Sequence, residues 1–182
     1  MNYHGIFYDD MKNGVGLRVT LFVSGCDHKC KGCHNPMTHD PESGELFDNN
    51  ALDRIRKHLD HDYIDGITLS GGDPLYHSNL NDINKLIDTI KSEFPTKTIW
   101  LYTGYKFNTI MEDPELKDIV SKVDVVVDGK FKLDKADANY PWAGSTNQAV
   151  IDVKETLKVY PEIILVKENN VESETNKILF GE

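Results

Sequence analysis

The stretch Val19-Thr-Leu-Phe-Val-Ser-Gly-Cys-Asp-His-Lys-Cys-Lys-Gly-Cys33 joins a short apolar run to a loop that holds all three cysteines of the chain. Val19–Val23 has the length and β-branched content of a buried strand. Cys26, Cys30 and Cys33 follow with gaps of three and two residues, so one short loop wraps its sulfurs around a single inorganic centre. Three thiolates are one too few for a closed tetrahedral site. An incomplete protein ligand set leaves a position where a substrate binds. An odd number of closely spaced cysteines also argues for metal over disulfide.

Outward from this stretch the unit of strand and polar loop recurs. Gly66–Ser70 reads as a strand ended by Gly71-Gly-Asp-Pro74, Lys97–Tyr102 as one ended by Thr103-Gly104, and Val123–Val127 as one ended by Asp128-Gly-Lys130. Between them lie helical patterns. The first is capped by Asn49 or Asn50 and runs to about Asp60, with Leu52, Ile55 and Leu59 on one face. The second is capped by Ser78 or Asn79 and runs to Glu93, with Ile83, Leu86, Ile87 and Ile90 as its stripe and Pro95 as its stop. The third spans Pro114 to Ser121. Strands alternating with amphipathic helices predict βαβ crossovers. The expected fold is α/β, a single-domain partial (open) βα barrel with a mainly parallel sheet of about five or six strands. Gln148–Val153 and Glu162–Val166 supply the fifth and sixth. The segments 2–18, 34–49 and 132–147 read as turns and loops, with Asn13-Gly-Val-Gly16 as a tight turn. One domain over 1–166 and a mobile polar tail over 167–182 complete the expectation. Carboxyl ends of parallel strands share an edge, so the four strand-end loops should converge there, where α/β enzymes carry their sites.

Composition narrows the partners. The 182 residues hold 20 Lys and Arg against 30 Asp and Glu, a formal charge of −10. A nucleic-acid surface must supply cations to displace counterions, so nucleic acid is not an expected partner. No apolar run approaches the roughly 20 residues of a membrane span, and Met1-Asn-Tyr-His lacks the regions of a signal peptide. A cytoplasmic location, where thiols stay reduced, is expected.

For the cysteine loop two metals stay open on spacing alone. Zinc would take His28, His34 or His39 as a fourth ligand; an iron–sulfur cluster would leave the fourth position vacant. Gly71 and Gly72 remove side chains where a backbone can approach a ligand closely, and carbonyls beside the Asp73 carboxylate suit a cationic amine. Asp128 and Lys130 read either as a surface turn or as a pair at a strand end, with Lys130 facing a substrate carboxylate. Trp100 and Trp142 read as packing residues.

Cys26-x3-Cys30-x2-Cys33 after the first strand and Ser70-Gly-Gly-Asp-Pro74 after the second resemble the radical S-adenosylmethionine superfamily. Further stretches resemble its activating proteins of anaerobic ribonucleoside-triphosphate reductase: Asn13-Gly-Val-Gly-Leu-Arg18, Ile99-Trp-Leu-Tyr-Thr-Gly-Tyr105, Val125-Val-Val-Asp-Gly-Lys-Phe131 and Trp142-Ala-Gly-Ser-Thr-Asn-Gln148. The resemblance covers roughly residues 1–152. It implies one 4Fe–4S cluster on Cys26, Cys30 and Cys33, with S-adenosyl-L-methionine chelating the fourth iron. Its reductive cleavage would give methionine and a 5′-deoxyadenosyl radical, which takes hydrogen from a glycine of the reductase. The reductase is then the protein substrate and a flavodoxin-like protein the electron donor. By position, Gly71, Gly72 and Asp73 would meet the methionine amino group, Asp128 and Lys130 the methionine end, and Gly32, Cys33 and His34 the adenine. Two departures stand out: Gly32 where the superfamily often has an aromatic, leaving His34 as the flat surface, and Asp73 where many members have Glu. An activase of another glycyl-radical enzyme, of the formate-lyase type, is the neighbouring reading. A zinc-stabilised binding module without catalysis is the reading from a different class.

Overall fold

The computed structural model describes residues 1–167; of the expected tail, all but Lys167 lies outside them. In chain order the strands are β1 (Asn2–Asp10), β2 (Arg18–Val23), β3 (Glu45–Leu46), β4 (Gly66–Gly71), β5 (Thr98–Tyr102), β6 (Val125–Asp128) and β7 (Ala149–Asp152). They lie side by side in one sheet in the order β3-β1-β2-β4-β5-β6-β7. β2, β4, β5 and β6 run parallel, β1 is antiparallel to both of its neighbours, and β7 is antiparallel to β6. The helices are α1 (Asn49–Leu59), α2 (Leu80–Glu93), α3 (Phe107–Glu112), α4 (Pro114–Val120) and α5 (Val153–Val159).

The expectation of a mainly parallel, barrel-like sheet of five or six strands is corrected on two counts. The sheet is mixed rather than mainly parallel, and its seven strands do not close, with β3 and β7 at the two ends. β1 escaped the sequence reading because only Tyr3 in it is fully buried and its pairing with β2 shifts register twice. Its one apolar run, Ile6-Phe7-Tyr8, is only three residues long and none of the three is fully buried. At the other end, Glu162–Val166 is not a sixth strand. It lies along β7 through the amide of Asp152 to the carbonyl of Ile164 (2.9 Å) and that of Val166 to Val150 (2.9 Å), but makes only the single bridge Ile151–Leu165.

The period of two along the parallel strands sorts the sheet into unlike faces. Val19, Leu21, Ile67, Leu69, Ile99, Leu101 and Val126 point to one side, where Ile55 and Leu59 of α1, Ile83, Ile87 and Ile90 of α2, and Leu116 and Ile119 of α4 cover them. Each such side chain contributes on the order of 1.5–3 kcal/mol by leaving water. On the opposite face Trp100, Val125, Val127 and Val150 form a smaller cluster with Tyr102, Trp142 and Ala143. Among the described residues no helix contributes to that cluster; Trp142 and Ala143 come from the segment between β6 and β7, and Val166 from the chain after α5. One face thus holds the fold together while the other stays open to build a cavity.

Capping differs in detail from the reading. Asp48, not Asn49 or Asn50, caps α1, its Oδ1 accepting from the Ala51 amide (2.9 Å). Such a cap stabilises a helix by about 1 kcal/mol. α5 was not expected, although Asp152 and Glu155 form the acidic start of a capping box and the Glu155 amide donates to Asp152 (2.9 Å). Among the described residues no helix is long and apolar enough to cross a membrane.

Candidate active site

The cysteine loop leaves the carboxyl end of β2 and is closed by its own return. The Gly25 amide donates to the Thr38 carbonyl (2.8 Å) and the Cys26 amide to the His39 carbonyl (3.1 Å), with a 3-10 turn at Pro36–Thr38 shaping the return. Within the loop the Cys33 amide donates to Cys30 (3.1 Å). The Asn35 amide and His39 Nε2 both lie 3.4 Å from Cys33 Sγ. All three cysteines are half-buried, and burial pushes the Cys26 thiol up to about 11, with the Asp73 carboxylate adding to the shift.

The loop after β4 zips onto this one. The Gly72 amide donates to Val23 (2.8 Å) and the Asp73 amide to Gly25 (2.8 Å), so the pairing of the two strands continues past the sheet. Side chains cannot be accommodated here. A Cβ on Gly71 would lie 2.5 Å from the Val23 carbonyl oxygen, and one on Gly72 would strike the Gly25 carbonyl and sit 2.8 Å from that of Thr38. Gly71 also takes φ +111°, which L side chains rarely adopt. Asn79, expected as a helix cap, makes no cap bond. Its buried amide instead donates to the Ser24 carbonyl (2.7 Å) and the Asp73 carbonyl (3.3 Å), tying the two loops from below.

Asp73 is 1% exposed, and its carboxylate is fully engaged by the protein. Oδ1 accepts from the Leu75 amide (2.8 Å); Oδ2 accepts from the Thr103 hydroxyl (2.9 Å) and the Gly104 amide (3.0 Å) and pairs with His28 Nε2 (2.6 Å). One carboxylate therefore joins the ends of β4 and β5 to the middle of the cysteine loop. The His28 ring packs against Gly104, where a Cβ would collide with it, and meets the Tyr105 ring edge-on at 4.7 Å.

At the end of β6 Asp128 has the same character. Oδ1 accepts from Lys106 (3.0 Å) and the Ala149 amide (3.1 Å), and Oδ2 from the Phe107 amide (2.9 Å). It fixes the start of α3 and the edge of β7. Lys130, two residues on, is exposed at the cavity rim, its carbonyl accepting from Asn147 (2.9 Å).

Between these loops lies a cavity of about 680 Å³, within the range of small-molecule sites. Cys26, Cys30, Cys33, His34, Gly71, Gly72 and Lys130 line it, so the structure brings these sequence-singled residues together. Asp73, Asp128 and Gly32 do not contribute to its lining. Gly32 faces the other way, its position 3.1 Å from the Leu133 side chain when given a Cβ. The ring of His34 lies 4.8 Å from that of Phe131. The far wall holds residues that sequence reasoning missed: Asn13, Phe22, Tyr102 and Gln148, with Trp142 assigned to packing alone. Trp142 meets Trp100 edge-on at 5.6 Å and takes φ +54°. Tyr102 holds it there by donating its hydroxyl to the Trp142 carbonyl (2.7 Å). Burial raises the Tyr102 pKa, so the phenol stays a donor.

The donor set suits a cluster better than a lone ion. Among the described residues no group of three His, Cys, Asp or Glu side chains is placed to hold a single metal ion. Of the histidines open to a zinc reading, His28 pairs through Nε2 with Asp73, and His39 Nε2 lies 3.4 Å from Cys33 Sγ. On a cubane each cysteine binds a different iron, so the three sulfurs need not converge on one point.

The sequence profile of the 4Fe-4S single cluster domain family matches residues 12–151. The chain is 45% identical over 148 residues to the anaerobic ribonucleoside-triphosphate reductase-activating protein of Enterobacteria phage T4, covering 81% of this chain and 92% of that protein. It is 45% identical over 152 residues to the protein of the same name from Escherichia coli (strain K12), covering 82% and 97%. The Vibrio cholerae protein of that name is 42% identical over 152 residues, with the same coverage.

Proposed function

The chain belongs to the family of anaerobic ribonucleoside-triphosphate reductase-activating proteins, and from that premise we propose that it is a radical S-adenosylmethionine activase that installs a glycyl radical on the reductase. The observation that carries the reading is the lining of one cavity by Cys26, Cys30, Cys33 and the glycines Gly71 and Gly72. Cys26, Cys30 and Cys33 would hold a 4Fe–4S cluster with one iron free of protein ligand. When bound, it would supply the electron that cleaves S-adenosylmethionine, generating the oxidant for hydrogen removal from a reductase glycine.

The chain's own residues bind and position. The backbone at Gly71 and Gly72, bare of side chains, receives the methionine amino group. Lys130 at the rim offers a cation to the methionine carboxylate. Cys33 and His34, flanked by Gly32, form the adenine side, with Leu133 rather than an aromatic filling the space beside Gly32. Asp73 and Asp128 act through others, Asp73 by holding Gly71–Gly72 against the cysteine loop and Asp128 by anchoring the turn that carries Lys130. The wall of Phe22, Tyr102 and Trp142 leaves an apolar passage for a peptide segment of the reductase. Residues 1–166 form one such domain, acting in the cytoplasm and reduced by a flavodoxin-like protein.

The test is anaerobic. Protein reconstituted with iron and sulfide is reduced and mixed with S-adenosylmethionine and the reductase, and the doublet of a glycyl radical is sought by electron paramagnetic resonance. Cleavage of S-adenosylmethionine without a radical on the reductase would overturn the assignment of partner; a colourless protein that binds zinc would overturn the cluster. For Lys130→Ala the expected result is a full complement of iron with S-adenosylmethionine binding weakened about tenfold or more, read by equilibrium binding. Unchanged affinity removes Lys130 from the site.

A further inference from the structure

We infer that the outer face of the cysteine loop, together with the turn after β6, is the docking surface for an acidic one-electron donor protein. The inference rests on the cluster reading above, because it concerns how that cluster is reduced.

The charge distribution sets this face apart. In a chain of net charge −10, residues 27–33 and 130–137 carry five exposed lysines, Lys29, Lys31, Lys130, Lys132 and Lys135, against the three acids Asp27, Asp134 and Asp137, with Lys130 at the rim of the main cavity. On the helical side Arg56 pairs with Glu93, Lys91 with Asp124, Lys122 with Asp88 and Lys158 with Glu155, while among the described residues Lys57, Lys85, Lys117 and Lys154 make no ion pair and stand dispersed on separate helices. Among the described residues none of the four lysines away from the cavity rim, Lys29, Lys31, Lys132 and Lys135, makes an ion pair; their field is left to act outward.

The patch also has an apolar centre. Lys31, Phe131, Lys132, Leu133 and Asp134 line a depression that adjoins the main cavity and shares only Phe131 with it. Leu133 is 51% exposed, and its inner side lies against Gly32, between Cys30 and Cys33. An apolar anchor ringed by cations is the anatomy of a transient interface, where rim charges set the association rate. A partner seated on Leu133 would touch the cysteine loop between Cys30 and Cys33, leaving the cavity free for S-adenosylmethionine and the reductase segment. The transfer balances simply: the donor loses one electron, the cluster gains one, and no bond is made or broken.

The experiment uses the reconstituted full chain and two reductants, flavodoxin hydroquinone as an acidic protein probe and dithionite as a small one. Cluster bleaching is followed by stopped flow for the native chain, for Lys31→Glu with Lys132→Glu, and for Leu133→Ala. At low ionic strength the double charge reversal should slow reduction by flavodoxin about tenfold or more, and the gap should close near about 0.5 M salt. Leu133→Ala should slow it at both salt levels, and dithionite should reduce all three proteins equally. Equal rates with flavodoxin overturn the inference. Slowing by dithionite too means a damaged cluster site, and weakened reductase binding with an unchanged flavodoxin rate assigns the patch to the reductase; either overturns it. Protein that takes up no iron or sulfide defeats the underlying cluster reading, an outcome distinct from cluster present and rates unchanged.

Discussion

Asp73 acts as a knot at this site more than as a ligand. Its carboxylate is buried and satisfied by two amides, a hydroxyl and an imidazole drawn from three segments. Removing a buried acceptor leaves those donors unpaired, which costs more than one hydrogen bond is worth. Asp73→Ala should therefore lower unfolding stability by about 2–4 kcal/mol in urea melts of the apoprotein. A ligand-facing carboxylate would leave the melt unchanged and shift only S-adenosylmethionine affinity. Arg18 plays a comparable part at the opposite end of the strands. Fully buried, it donates to the Thr68 hydroxyl (2.8 Å), the Thr98 hydroxyl (3.0 Å) and the carbonyls of Val15 (3.1 Å), Ile67 (2.8 Å) and Thr98 (2.9 Å). Burial lowers its pKa to about 10, a sign of what desolvation costs the guanidinium, and its face lies 5.4 Å from the Trp100 ring. Lysine offers three donors and no planar fork, so Arg18→Lys is expected to lose about 2–4 kcal/mol; a loss under about 0.5 kcal/mol would contradict this account of the fork. Neither role can be read from the residue's neighbours in sequence, since every partner but Val15 and Leu75 is at least 30 positions away.

At the scale of elements, the strand-end loops are joined to each other as tightly as the strands beneath them. The cysteine loop and the Gly-Gly loop exchange amide-to-carbonyl bonds from Gly72 to Val23 and from Asp73 to Gly25. That leaves the Gly72 position without room, since any Cβ there meets backbone oxygens of both Gly25 and the return segment at Thr38. Backbone cannot rotate away as a side chain can. Gly72→Ala should destabilise the apoprotein by about 1–3 kcal/mol and reduce the iron retained on reconstitution, because relief requires moving the loop that bears the sulfurs. Normal stability and full iron content together would show the two loops to be loosely coupled. Elements were legible in sequence where they bury a stripe, as α1, α2 and the four parallel strands do. β1 and the two-residue β3 were not: β3 is an edge strand held by backbone bonds that any side chain permits, and β1 beside it is only partly buried and shifts register twice. α3 and α5 are as short as α4 but lack the proline at the first turn that marks its start.

The whole molecule separates stability from chemistry across its sheet. The large core lies between the strands and helices on one face, while the cysteines are half-buried outside both apolar clusters. Cys30→Ala should therefore leave the urea midpoint of the apoprotein within about 0.5 kcal/mol of native while abolishing iron uptake. Unfolding of that variant would mean that the loop props up the core. The sequence by itself located the four parallel strands and a helix in each of the three connections between them, because these depend on the periodicity of apolar residues near in sequence. It likewise determined the three sulfurs, whose spacing is local, and placed the polar loops at a common edge. Tertiary structure alone decided that the sheet is mixed and open, that Asp73 and Asp128 hold loops instead of lining the cavity, and that Tyr102 and Trp142 form its far wall. It also set Leu133 against Gly32 and brought Lys31 and Lys132, from two distant segments, around one depression. The physical reason is common to these cases: hydrogen bonds, close approaches and summed charge depend on distance in space, and the residues concerned lie far apart along the chain.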